Sequence, residues 1–180
     1  MSDAAACSIT RAGVADAHRV AALGARLFTQ AYGPTHPEPE LSRYLAGAFD
    51  VDLISAALCD EHATFFLVQD ALGSDIGYAW LRRSTDAPPA GVVGQRPFEI
   101  ARFYVDEAWH GRGVAQAMMA SCIAAAREAG ADVVWLATWQ PAARPQAFYR
   151  RMGFEGVGTT TFLFGDVVED DVLLARRLDT

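Results

Sequence analysis

The chain has 180 residues, of which 52% are hydrophobic and 21% charged, and this length and composition predict one globular domain with a sizeable core. Its formal net charge of −7 argues against nucleic acid as a partner, since phosphate backbones bind clustered cations, and is compatible with a cationic substrate such as an amine. No apolar run approaches the roughly 20 residues of a membrane helix, and the N-terminus lacks the basic and apolar regions of a signal peptide, so we expect a cytoplasmic protein without a membrane partner.

Hydrophobic periodicity and turn residues predict the elements of the first half of the chain. Val20, Leu23, Leu27 and Phe28 recur at helical spacing, and Gly33 followed by proline ends that helix. The predicted elements are a strand at 8–10, helices at 16–33, 39–49 and 52–58, strands at 64–70 and 75–83, and a loop at 84–97.

The second half of the chain alternates strands with helices, and the acidic run 169–171 is interpreted as a solvated turn. The predicted elements are a strand at 98–105, a helix at 111–129, a strand at 132–138, a helix at 144–152 and strands at 157–165 and 170–178. This order predicts an α/β fold over residues 1–180, with a mixed central sheet of about six to seven strands and helices on both faces. The unit at 98–138 is long enough for a parallel crossover.

A glycine-rich turn, "HGRGVA" at 110–115, precedes the helix of this unit. Gly111 and Gly113 remove side chains where a helix N-terminus offers free N–H groups, so an anion can approach the backbone closely. The chain contains no lysine, which excludes a Walker loop, and Gln116 stands where a dinucleotide fingerprint needs its third glycine. An ordinary turn that caps a helix is the alternative.

Two motifs carry a resemblance to a known family. "HGRGVA", entered from "FYVDEAW", resembles the Q/R-x-x-G-x-G/A pyrophosphate loop of the GNAT N-acetyltransferase superfamily, with His110 in the Q/R position. "AFYRRMGFEGVG" matches the FYxxxGF signature of the same superfamily, and the whole chain is similar to bacterial PaiA-like polyamine and amine acetyltransferases. The resemblance implies the GNAT fold with a splayed parallel strand pair, acetyl-CoA as cosubstrate, a small-molecule amine substrate and a homodimer.

The resemblance also assigns the contacts to acetyl-CoA. Main-chain groups of Phe103, Tyr104 and Val105 are expected to hold the pantetheine arm in the gap between two strands. The pyrophosphate is expected at the loop formed by His110, Gly111, Arg112, Gly113, Val114, Ala115 and Gln116. Ala142 stands where the family often has an asparagine that contacts the cosubstrate, so either the main chain suffices there or affinity is reduced. No metal is expected, because the three cysteines lie far apart without a CxxC spacing.

Two side chains match catalytic positions of the family. Tyr149 corresponds to the tyrosine that can protonate the departing thiolate, and Glu99 to the strand glutamate that acts as general base. An amine is protonated near neutral pH and must lose a proton before it attacks a thioester. Strand alternation predicts Glu99, Ala101, Phe103 and Val105 on one face. A solvated edge carboxylate or a substrate-binding anion is the alternative for Glu99, and a core side chain is the alternative for Tyr149.

The proline-rich loop "GPTHPEPE" is expected, by the resemblance, to lie over the acceptor site. The candidate substrate contacts around it are Tyr32, His36, Glu38 and Tyr44. The predicted function is direct transfer of an acetyl group to a primary amine in a ternary complex, without a covalent acyl-enzyme. A non-catalytic acyl-CoA sensor and a protein or peptide N-acetyltransferase are the alternatives left open by the sequence.

Overall fold

A seven-stranded mixed sheet runs through the computed structural model, which describes residues 7–83 and 87–178. Residues 1–6, which belong to the segment judged for a signal peptide, and residues 84–86 of the predicted loop lie outside the described residues. The strands are β1 Cys7–Arg11, β2 Ala63–Asp70, β3 Asp75–Arg82, β4 Pro97–Val105, β5 Val133–Trp139, β6 Glu155–Phe164 and β7 Val167–Arg177. The predicted strands are thus confirmed in place and order.

Five α-helices in the described ranges cover the two faces of this sheet. Helix α1 is amphipathic and buries Leu23, Leu27 and Phe28, and α3 is capped by Asp50, whose side chain accepts hydrogen bonds from the backbone of the next turn. The helices are α1 Ala17–Tyr32, α2 Glu40–Ala48, α3 Val51–Cys59, α4 Val114–Glu128 and α5 Ala143–Arg151. In the part of the chain that the structure describes, no helix is long and apolar enough to cross a membrane.

The strand order is β1-β2-β3-β4-β5-β7-β6, and among these described strands only β4 and β5 are parallel neighbours. These two strands pair over just three positions, Pro97 with Val133, Phe98 with Val134 and Glu99 with Trp135. Beyond them the strands diverge, while β3 and β7 continue to pair with their outer edges. The expected splayed parallel pair is therefore present.

A β-bulge in β4 decides which side chains face which helices. Trp80 of β3 pairs with Arg102, but its neighbour Leu81 pairs with Ile100, so Ala101 is the extra residue. The bulge shifts the alternation by one. Phe103 and Val105 consequently pack in the core under α4 and α5, with Ile100.

Glu99 and Tyr104 lie on the opposite face of β4, towards α1 and α2. The prediction that Glu99, Phe103 and Val105 share one face is therefore wrong. Uninterrupted alternation would have put them together, and the extra residue between them reverses the direction of every side chain that follows.

The acidic run 169–171 also differs from its prediction. Strand β7 begins at Val167, so Glu169, Asp170 and Asp171 belong to the strand and do not form a solvated turn. Asp171 is buried, with 8% of its surface exposed, while Asp170 points to the other face and is exposed. The pairing of β7 with both β5 and β6 extends the ladder past the polar residues.

Gly24 lets α1 approach the sheet closely, and this predicts an unusual effect of alanine. A Cβ at Gly24 would lie 2.5 Å from the Phe49 ring, whereas a Cβ at Gly47 in α2 would meet no atom within 4 Å in the part of the chain that the structure describes. Gly24→Ala should therefore lower the free energy of unfolding by about 1–3 kcal/mol through overpacking. Gly47→Ala, the matched control, should raise it by roughly 0.5–1 kcal/mol through helix propensity. Urea unfolding followed by circular dichroism measures both, and equal gains would contradict the close packing.

Candidate active site

The divergence of β4 and β5 opens a passage through the sheet, formed by three adjoining cavities. The loop cavity, about 280 Å³, lies between the 106–113 loop, the start of α4 and α5. The cleft cavity, about 350 Å³, lies between β4 and β5. The aromatic cavity, about 150 Å³, lies on the α1 and α2 face.

Shared lining residues join the three cavities into one path. The cleft cavity shares Tyr149 and Phe103 with the loop cavity, and Tyr32 and Trp139 with the aromatic cavity. A ligand long enough to follow the path would cross the sheet from the α4–α5 face to the α1–α2 face.

The glycine turn exposes bare backbone at the start of α4. Gly111 and Gly113 have φ values of +78° and +83°, a left-handed conformation that other residues rarely adopt. A Cβ at either position would meet no atom of the described residues within 4 Å, so the space beside the backbone is open. Together with the unpaired N–H groups of the first turn of α4, this turn is suited to an anion.

Hydrogen bonds from α1 and β4 hold this turn in place. Asp106 accepts hydrogen bonds from Ala108 N at 3.1 Å and Gln30 Nε2 at 3.4 Å, and it forms an ion pair with Arg26. Burial by itself would raise the pKa of Asp106, but the Arg26 guanidinium and the Ala108 N–H hold that pKa below its usual value. His110 Nε2 donates to the Val105 carbonyl oxygen at 2.9 Å, so the turn is tied to the end of β4.

The predicted loop residues do not all line the loop cavity. His110, Gly111, Ala115 and Gln116 line it. Arg112 lies over the Trp109 ring, with its Cζ 5.3 Å from the ring centroid, and Val114 is buried in the core under α4. Gly113 acts through its backbone as the N-cap residue of α4.

Sequence reasoning missed two arginines of the loop cavity. Arg144 and Arg151, at the two ends of α5, line it beside the glycine turn. Their positive charges favour an anionic ligand at this end of the passage. The sequence signal for these two residues is the basic composition of α5. Which cavity their side chains line is known only once α5 is placed next to α4.

Tyr149 stands where the loop cavity meets the cleft cavity. Its side chain is buried among Phe103, Phe148 and Phe154, with ring centroids 5.4–6.1 Å from its own. Burial raises the pKa of the Tyr149 hydroxyl above its usual value, so this group stays protonated at neutral pH and can donate a hydrogen bond into the cleft.

The β5–α5 loop closes one side of the cleft cavity, and Ala142 lies there. Ala142 N donates to the Trp139 carbonyl at 3.0 Å. Gln146, which the sequence reasoning missed, is buried and donates through Nε2 to the Gln140 carbonyl at 2.7 Å. A side chain from α5 thus fixes this loop.

The aromatic cavity contains most of the predicted acceptor residues. Tyr32, His36, Tyr44 and Glu99 line it, whereas Glu38 is exposed, accepts a hydrogen bond from Ser42 N at 3.3 Å and is not among the lining residues. The wall also contains Tyr104, whose main chain the sequence analysis assigned to the pantetheine arm, and residues that it did not select for the site, which are Phe28, Arg102, Trp139, Phe162, Phe164, Glu169 and Asp171. Aromatic faces and carboxylates together favour a cationic ligand.

Three carboxylates face this cavity, and two of them have partners. Glu99 accepts from Arg82 Nε at 2.6 Å, and both oxygens of Glu169 lie 3.0 Å from Nε2 of the buried His36. Among residues 7–83 and 87–178, Asp171 has no side-chain hydrogen bond or ion pair. Burial, with smaller effects of Glu169 and Asp170, raises the pKa of Asp171 to about 6.

Within the described ranges, His, Cys, Asp and Glu side chains form no group of three or more that could hold a metal ion. The ionisable groups at one end of the passage instead include three carboxylates with Arg102 and His36, and those at the other end include Arg144 and Arg151 beside free backbone N–H groups. This arrangement separates a site for an anion from a site for a cation across the sheet.

Comparisons with known proteins agree with this geometry. The family model described as "Acetyltransferase (GNAT) family" matches residues 25–154. An uncharacterized N-acetyltransferase of Mycobacterium tuberculosis is 34% identical over 166 residues, which cover 91% of this chain and 98% of the relative. The counterpart in Mycobacterium bovis gives the same values.

Solved structures share the fold. The PaiA N-acetyltransferase of Thermoplasma acidophilum in complex with coenzyme A has a TM-score of 0.75 at 11% identity, over 96% of this chain and 99% of that one. A probable acetyltransferase of Staphylococcus epidermidis also has a TM-score of 0.75, at 12% identity, over 97% and 100% of the two chains.

The burial of Asp171 predicts a pH-dependent stability difference. Its pKa of about 6 in the folded chain lies above the ordinary value of 3.8, so ionisation reduces the stability of the folded state as pH rises from about 4 to 6. Asp171→Asn should therefore raise the free energy of unfolding at pH 7.5 by about 1 kcal/mol, allowing for solvent that reaches the carboxylate through the cavity. The gain should disappear near pH 4.

Urea unfolding at both pH values measures this difference. Asp170→Asn is the control, because Asp170 is exposed on the other face of the same strand and should give no comparable gain. A loss of stability in Asp171→Asn at pH 7.5 would show that the carboxylate has stabilising partners.

Proposed function

Because this chain belongs to the GNAT acetyltransferase family and is an N-acetyltransferase, we propose that it transfers an acetyl group from acetyl-CoA to a small primary amine or polyamine. One observation carries the proposal: a single passage joins an anion-binding turn, a buried tyrosine and an acidic aromatic cavity. Each part corresponds to one portion of the two substrates.

The loop cavity suits the pyrophosphate of acetyl-CoA. The backbone of Gly111 and Gly113, the first turn of α4 and the guanidinium groups of Arg144 and Arg151 supply donors and positive charge for two phosphates. Main-chain groups of Phe103–Val105 would hold the pantetheine arm, since this stretch of β4 is not paired with β5. Ala142 would contribute only its main chain.

The aromatic cavity suits an ammonium group. Tyr32, Tyr44 and Trp139 offer ring faces, and the carboxylates of Glu99 and Asp171 offer negative charge. His36 of the proline-rich loop is buried in its wall, with Nε2 3.0 Å from both carboxylate oxygens of Glu169, so this part of the loop encloses one side of the cavity. A partly enclosed site of about 150 Å³ favours a small amine over a protein or peptide acceptor.

The proposed reaction is direct attack of the amine on the thioester in a ternary complex. The amine nitrogen bonds to the carbonyl carbon, the carbon–sulfur bond breaks, and Tyr149, protonated at neutral pH, supplies a proton to the sulfur. Backbone donors near Val105 would stabilise the negative charge that develops on the carbonyl oxygen. Glu99 stays in the proposal as an anionic contact of the amine and as the first candidate for its base.

The proposal treats the chain as one domain that forms a homodimer. One sheet carries both large cores, which supports a single domain. Leu163, Val167 and Val168, near the turn between β6 and β7, have 63%, 48% and 66% of their surfaces exposed. A cluster of exposed apolar side chains is common in protein interfaces, which supports the dimer.

Release of CoA from acetyl-CoA tests the function across polyamines, amino acids, aminoglycosides and peptides. We expect amine-dependent release with polyamines or other small amines, and Tyr149→Phe should lower kcat by about 100-fold because the sulfur loses its proton donor. Tyr78→Phe is the control: Tyr78 is also buried, and its hydroxyl has no partner in the described part of the chain. Release with peptides alone would replace the small-amine proposal, and full activity of Tyr149→Phe would contradict the role of Tyr149.

The glycine turn gives a separate test of acetyl-CoA binding. Gly113→Ala places a Cβ in the open space proposed for the pyrophosphate, and its strain of roughly 1–2 kcal/mol favours a shift of the turn, so acetyl-CoA binding should weaken about tenfold in calorimetry. Gly73→Ala, at φ +81° in the β2–β3 turn, carries the same strain away from the cavities and should leave the affinity unchanged. Equal effects of the two substitutions would argue against binding at this turn.

A further inference from the structure

We propose that the carboxylate of Asp171 is a catalytic residue, which takes the proton that the acceptor ammonium must lose before its nitrogen attacks. This inference rests on the proposed function and assigns the base within the same site. It arises from the structure, since the sequence pattern placed Asp171 in a solvated turn.

The position of Asp171 brings its carboxylate to the junction of two cavities. Asp171 is paired with Trp139 of β5 and Thr160 of β6, and its side chain lines the aromatic cavity. Trp139 lines the aromatic cavity and the cleft cavity alike. An ammonium in contact with Asp171 would therefore lie beside the entrance to the cleft, where the thioester is proposed to lie.

Asp171 is the carboxylate of this cavity that is still available. Glu99 is engaged by Arg82 at 2.6 Å and Glu169 by His36 at 3.0 Å, whereas Asp171 has no such partner among the described side chains. It is nonetheless more than nine-tenths buried, with 8% of its surface exposed. A buried carboxylate without a partner costs stability, and a ligand ammonium would supply the missing partner.

The groups around Asp171 make it a better proton acceptor than an ordinary aspartate. Asp171 shares the aromatic cavity with seven other titratable or charged side chains. They are Glu169 of β7, Tyr32 of α1, His36 of the following loop, Tyr44 of α2, and Glu99, Arg102 and Tyr104 of β4. The strand neighbours from β5 and β6 are Trp139 and Thr160, which do not titrate.

Burial and the nearby negative charges of Glu169 and Asp170 raise the pKa of Asp171 to about 6. The group is then ionised above pH 6 and more basic than a solvated aspartate, as a general base at neutral pH requires. Burial, and after it the nearby negative charge of Asp171, raises the pKa of the Tyr32 hydroxyl to about 12. Tyr32 therefore stays protonated and can donate a hydrogen bond in the cavity.

The protons balance in this scheme. The ammonium gives one proton to Asp171, and the neutral nitrogen bonds to the carbonyl carbon. The carbon–sulfur bond breaks, the sulfur takes the proton of Tyr149, and the proton that the attacking nitrogen loses restores Tyr149. Asp171 releases its proton to solvent, so one proton is released for each amide formed.

The pH profile of kcat/KM for the best amine tests the assignment in the intact protein. The unsubstituted protein should show an acidic limb near pH 6, and Asp171→Asn should lose that limb and fall about 100-fold or more at pH 7. Asp171→Glu should recover part of the rate. Asp170→Asn, the matched control, should keep the rate at pH 7 and the acidic limb, moved only slightly to lower pH because the Asp170 charge contributes least to the raised pKa of Asp171. Acetyl-CoA should bind Asp171→Asn with unchanged affinity.

Glu99→Gln decides between the two candidate bases. We expect it to keep the acidic limb and to raise KM, as an anionic contact would. An acidic limb that persists in Asp171→Asn and disappears in Glu99→Gln would overturn the assignment of Asp171 and leave the proposed function intact. If the unsubstituted protein acetylates no amine while it still binds acetyl-CoA, the small-amine function fails, and the assignment of Asp171 fails with it.

Discussion

The separation of β4 and β5 after three paired residues is the constraint on which the rest of the structure depends. Buried backbone N–H and C=O groups need hydrogen-bond partners, and the facing edges of Ile100–Val105 and Leu136–Trp139 are not paired with each other. The outer edges of both strands are held by β3 and β7, so the gap is built into a rigid sheet. A ligand with its own amide groups, such as the pantetheine arm of acetyl-CoA, would satisfy the exposed edge.

The bulge at Ala101 gives the two sides of this gap different chemistry. Phe103 and Val105 turn towards Tyr149 on the α4–α5 face, while Glu99 turns towards the aromatic cavity. Without the extra residue, Glu99 would point to the same side as the proposed thiol site. One inserted residue therefore separates the groups proposed for the thiolate from those proposed for the amine.

The charges along the passage are complementary to the charges of the proposed substrates. Arg144 and Arg151 line the end proposed for the pyrophosphate, and at the end proposed for the amine three carboxylates outnumber Arg102, in a chain whose net charge is −7. Asp171, which has no side-chain partner among the described residues, is expected to reduce the stability of the free protein, and its proposed use as a base would explain why a buried carboxylate is present. Stability and activity are thus expected to respond in opposite directions at this position.

Sequence by itself determined the order of helices and strands, the glycine turn before α4 and the position of Tyr149, because each depends on residues close together in the chain. Tertiary structure alone decided the faces of Glu99 and Asp171 and the meeting of Arg144 with the glycine turn. A bulge is defined by pairing with another strand, and the burial of a strand carboxylate depends on what covers that face. Both are set by contacts between residues far apart in the chain, which local periodicity cannot register.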